Sequence, residues 1–232
     1  MSPRTTTIGP DLLHTALARI CAAFGARVRV VPGADNSVRT LHGEDRRPHM
    51  WTHEIDVEGT VNLAHEVGHL AFAGHLDDDH GIDYHQIPYD LEGLVGRTML
   101  AEELACSTFS CGVLATTLVA RGVRNAEIDG PVDAWFAEQL EIQPVFYQRE
   151  PSLPAFIRSV EDFVMNTSSD LVTKCDHLYE TVGEWMTGVG VPVACSDQVR
   201  YDVVALVGRY MHTRGRVVGV GTTQDDQRGG AA

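Results

Sequence analysis

Basic residues are scarce in this chain: 18 Lys and Arg stand against 32 Asp and Glu, for a formal net charge of −14. An excess of that sign argues against a surface built to hold a phosphate backbone, and otherwise favours solubility. Cysteines are few and unpaired. The five of them (Cys21, Cys106, Cys111, Cys175 and Cys195) are odd in number, widely spaced, and never form a CxxC pair. That pattern argues against a zinc ribbon, a thioredoxin-like dithiol and a disulfide framework. Free thiols, mostly in the core, are expected instead. The first ten residues hold one Arg and no apolar run, so no secretory leader is expected. No apolar stretch is expected to approach the length of a membrane span. A cytoplasmic protein is the expectation, with neither nucleic acid nor membrane as a direct partner.

What the chain does have is an ordinary apolar content, 44%, over 232 residues. This suits one medium domain, or a core domain with an appended subdomain. Residues 9–25 form an amphipathic helical pattern. Pro10 suits a first helical position, Leu13, Leu17, Ile20 and Phe24 recur at helical spacing, and Gly25 ends it. Residues 27–31 alternate as a strand, 37–41 form a weaker one, and 50–57 alternate again.

His65-Glu66-Val67-Gly68-His69 is the most informative stretch. It reads HExxH, and composition alone would produce about 0.03 such motifs in a chain of this make-up. Apolar residues surround it, and the helix is expected over 60–73, with Thr60 as N-cap and Gly74 as stop. Residues four apart share a helix face, so both imidazoles can aim at one point. In this arrangement two histidines hold zinc, and the glutamate acts as general base on a zinc-bound water. Gly68 costs such a helix on the order of 1 kcal/mol, and close approach of another backbone is the expected offset.

A catalytic zinc needs a third protein ligand. A second helix is expected from about 90 to 121, with Gly122 after it, and it carries Glu102 and Glu103. Glu103 is favoured because Ser107 lies one turn on and can support a ligand histidine, whereas Glu102 has Cys106 there. His75 is the rival. It stands eleventh from His65, the third-ligand spacing of HExxHxxGxxH proteins, but Phe72 occupies the position where those need Gly. The polar stretch 75–88 reads as a solvated loop. Tyr84, His85 and Tyr89 are candidates there for stabilising an oxyanion, and the strand near 50–57 is a candidate edge for an extended peptide.

Leu63-Ala64-His65-Glu66-Val67-Gly68-His69 resembles the active-site helix of the ImmA/IrrE family of metallopeptidases. Glu103 to Leu114 loosely follows that family's second helix, E-x-x-A-(N/D)-x-F-A-x-x-L-L, with Cys106 at the Ala and Ser107 at the Asn or Asp. The resemblance covers about residues 10–120. It implies an α+β, zincin-like core of an N-terminal helix, a small sheet, the HExxH helix and a third-ligand helix, with a mostly helical C-terminal region after it. It also implies Zn2+ held by His65, His69 and Glu103, with Glu66 catalytic. Some relatives cleave a helix-turn-helix repressor. This chain shows no such motif, so a repressor substrate would be a separate protein.

The expected organisation is a metallopeptidase core at 1–122, a helical subdomain at 123–218 and a disordered tail at 219–232. Helical regions are expected at 132–148, 153–187 and 197–214. The expected activity is hydrolysis of a peptide bond in a protein or peptide. Two alternatives share these residues: a zincin-fold regulatory or binding protein without turnover, and a zinc hydrolase of a non-peptide amide.

Overall fold

The computed structural model describes residues 10–23, 27–30, 37–40, 48–52, 57–73, 94–142, 152–190 and 200–221. Helix α1 (Pro10–Ala23) leads into strands β1 (Arg27–Val30), β2 (Ser37–Thr40) and β3 (Pro48–Thr52). Helices α2 (Val57–Ala73) and α3 (Leu94–Ala120) follow. A 3-10 turn at Asn125–Glu127 then precedes α4 (Asp129–Ile142), α5 (Leu153–Gly188) and α6 (Val203–Gly221).

Local chemistry sets these boundaries. Pro10 opens α1, where its missing N–H costs nothing, and Leu13, Leu17 and Ile20 are buried as their spacing requires. Gly122 ends α3 at φ +82°, a conformation that favours glycine. The N–H of Gly122 bonds the carbonyl of Val119, and that of Val123 bonds Leu118, which satisfies carbonyls the helix would otherwise leave open. Ser152 caps α5 by accepting from the Ala155 N–H, and Asp202 caps α6 by accepting from Ala205 at 2.9 Å. Pro131 lies inside the first turn of α4 rather than before it, because a proline is tolerated where no N–H is needed. Thr60 proves not to be a cap. The helix already runs from Val57, and the Thr60 hydroxyl lies buried 3.3 Å from His14 Nδ1 of α1.

The expected α+β class is corrected. Of the residues whose side-chain environment is described, 91% are helical and none lies in a strand. Among the described residues the core is built by helices: one buried cluster runs from Leu13 of α1 through α2, α3, α4 and α5 to Tyr210 of α6. The strands are short, four or five residues each, and their backbones pair in the order β1-β3-β2. β3 is parallel to β1 and antiparallel to β2. It is therefore the central strand, with both hydrogen-bonding edges in use. The expectation that the stretch near residue 50 offers an edge to a peptide fails at 48–52 for that reason.

The 36-residue α5 packs along α3, α2 and α1, so the C-terminal helices share the core of the ligand helices. Arg19 of α1 donates to the Val189 carbonyl at the end of α5 at 3.0 Å. Arg209 and Arg214 of α6 pair with Asp133 and Glu141 of α4. Trp135 of α4 donates from Nε1 to Ser110 Oγ of α3 at 2.9 Å, and Ser110 donates in turn to the Ser107 carbonyl.

Within α3, Leu100–Ala120 is long and apolar enough to cross a membrane by length and composition, contrary to the expectation that no stretch approaches that length. Its 18-residue apolar stretch is 78% buried inside the protein. A helix apolar on all sides is what a core position demands. The expected tail at 219–232 overlaps α6 by three residues, and 222–232 lie outside the described residues.

Candidate metal centre

α2 and α3 meet where each carries a small or polar residue, and that close approach builds the site. A Cβ placed on Gly68 would lie 2.8 Å from Cys106 Sγ, 3.3 Å from its Cβ and 3.4 Å from its Cα. Only glycine lets α3 come this near, as the cost of Gly68 in a helix suggested. The approach brings Glu103 of α3 across to His65 and His69, one turn apart on α2.

The three side chains converge on a point. His65 Nε2 and His69 Nε2 are 3.1 Å apart. Glu103 Oε2 lies 3.3 Å from His65 Nε2, and Oε1 lies 3.4 Å from His69 Nε2. All three residues are buried, at 6%, 5% and 9% exposure. Burial alone would push the Glu103 carboxyl up. The adjoining His69 and His65 outweigh it and hold the group well below the usual carboxylate range. Glu103 thus faces the histidines as an anion.

These distances fit a tetrahedral ion. Bonds of about 2.0–2.1 Å to N and O set ligand-to-ligand edges of about 3.3–3.4 Å, close to the three measured separations. The donor set, two imidazoles and one carboxylate, is one that zinc takes with an open fourth position. His65, His69 and Glu103 are the group among the described residues that could hold a metal ion.

The remaining sequence candidates fall as follows. Glu66 is half-buried, one step round α2, and its charge contributes, after burial itself, to raising the Cys21 thiol of α1 to about 12. Glu102 turns to α5, where Lys174 Nζ lies 3.3 Å from its Oε1. That ammonium also sits 5.1 Å over the Phe72 ring. Ser107 is buried on α3. Its neighbour Cys106 reaches a ligand ring, with Sγ 3.7 Å from His69 Nδ1. Burial pushes that thiol up to about 11. His65 Nδ1 is buried with no hydrogen-bond partner among the described residues. His75, Tyr84, His85 and Tyr89 lie outside the described residues.

The buried, free Cys106 agrees with the core role expected for the thiols, but that expectation stopped short of the site. Two contacts were not expected: that of Cys106 with His69 Nδ1 and that of Lys174 with Glu102. The first had a signal: a glycine inside the motif helix calls for a neighbour at that level. The second had none, since Glu102 and Lys174 are 72 positions apart.

No family model, curated protein or solved structure matches the chain.

Proposed function

We propose that the chain is a zinc-dependent metallopeptidase of the HExxH class, hydrolysing a peptide bond in a protein or peptide substrate. One observation carries the reading: His65 Nε2, His69 Nε2 and the Glu103 carboxylate meet at 3.1 to 3.4 Å in a buried cluster. The likeness of α2 and the middle of α3, Glu103 to Leu114, to the two motif helices of the ImmA/IrrE family supports it. On that resemblance, a helix-turn-helix repressor encoded as a separate protein is the substrate to try first.

His65, His69 and Glu103 would hold the ion, two neutral ligands and one anion, so a divalent metal keeps a net positive charge. When bound, zinc supplies a Lewis acid that polarises a carbonyl and acidifies water. The rest falls to the chain. Glu66 takes a proton from the attacking water and passes it to the leaving amine, the task of a carboxylate beside the ligand histidine. Lys174 holds Glu102 aside, so the second carboxylate of the pair does not compete for the metal.

The test is hydrolysis of candidate protein substrates by zinc-loaded wild type and Glu66→Gln. The variant should keep its zinc and lose about 10²–10⁴-fold in rate, the usual range for a proton-transfer group. Equal rates in the two proteins would refute the role of Glu66.

A further inference from the structure

The geometry points to Cys106 as the positioning residue for His69, an assignment that rests on the metal-centre reading above. A metal on Nε2 forces the imidazole proton onto Nδ1. That N–H then needs an acceptor in a buried place. The Cys106 sulfur faces His69 Nδ1 at 3.7 Å, within reach for a contact to sulfur, a weak acceptor. Both side chains are buried. The sulfur is also held in place, since it fills the space a Cβ on Gly68 would take.

Cys106 is not itself a ligand in this arrangement. It meets the ring nitrogen on the far side from the point where His65, His69 and Glu103 converge. Its effect runs through the ring: the sulfur accepts a hydrogen bond from the Nδ1–H, fixes the tautomer, and keeps Nε2 aimed at the ion. The two ligand histidines are unequal in this respect, because His65 Nδ1 has no such partner among the described residues.

The experiment measures zinc affinity of wild type, Cys106→Ala and Cys106→Ser by competition with a chromophoric chelator. Thermal unfolding of each metal-free protein is followed alongside. Alanine should weaken zinc by about 10-fold or more, as loss of a group supporting a ligand histidine does. Serine, a stronger acceptor on a shorter bond, should recover roughly half or more of that loss on a logarithmic scale. In zinc-loaded wild type the His69 Nδ1 proton should be visible and slow to exchange by nitrogen-resolved NMR, and alanine should abolish that signature. Unchanged affinity in the alanine variant overturns the assignment. So do equal losses in the alanine and serine variants that track their metal-free stability, which would mark Cys106 as packing alone. A wild type that takes up no zinc overturns the metal centre itself, and this inference with it.

Discussion

Gly68→Ala on the metal helix should destabilise the protein, where the same change on an open helix face would stabilise it. An alanine gains about 1 kcal/mol over glycine in a helix interior. Here the new Cβ meets Cys106 Sγ at 2.8 Å, with Cys106 Cβ at 3.3 Å and Cα at 3.4 Å behind it. The sulfur must move, and Cβ and Cα cannot yield without shifting α3. Overpacking of that kind costs about 1–3 kcal/mol. The net is a loss of about 1 kcal/mol, or about 2–4 °C in Tm for a chain of this size. Zinc affinity should fall as well, because the displaced thiol is the group against His69 Nδ1. The assay is denaturant unfolding of the metal-free protein for wild type, Gly68→Ala, Cys106→Ala and the double variant. Removing the thiol makes room for the new methyl, so the double variant should be more stable than the sum of the singles by about 1–2 kcal/mol. A gain of about 1 kcal/mol from Gly68→Ala alone, with no coupling in the cycle, would refute the close approach of α2 and α3 on which the site depends.

Other consequences follow from the same geometry. Cys21, Cys106 and Cys175 are buried and pushed up to about 12, 11 and 12, and burial raises Cys111 further still. Alkylation near pH 8 should therefore leave all four unmodified in the native protein and modify them in denaturant, as read by peptide mass mapping. Glu103→Ala should abolish zinc retention through gel filtration. Glu102→Ala should retain it and lose only the Lys174 pair, worth about 1 kcal/mol or less at a partly exposed position; the reverse pattern would exchange the roles of the two glutamates.

Much of the site was legible because HExxH is local. Four residues of helix fix the relative places of His65, Glu66 and His69, whatever surrounds them. Glu103 was readable one step less directly, through the motif likeness and the chemistry of its neighbours, since its choice over Glu102 depends on how α3 is rotated. Lys174 of α5 bonds Glu102, and that long-range pair leaves no trace in local pattern. Helices were legible where apolar spacing was regular, as in α1 and α5. Their ends were less so. Helices expected from Thr60 and from residue 132 start at Val57 and Asp129 instead, with Gly59 and Pro131 in first turns, where a helix tolerates them. Fold class was misjudged for a different reason. The strands expected at 27–31, 37–41 and 50–57 pair over 27–30, 37–40 and 48–52, with Val57 already in α2, but a strand pattern says nothing of how much of the core it carries. The packing that is described belongs to helices.

Anomalous scattering at the zinc edge from zinc-loaded crystals tests the central claim most directly. One ion should appear about 2.0–2.1 Å from His65 Nε2, His69 Nε2 and a carboxylate oxygen of Glu103. No ion at that point, or an ion there whose third protein ligand is Glu102 or His75, would contradict the account.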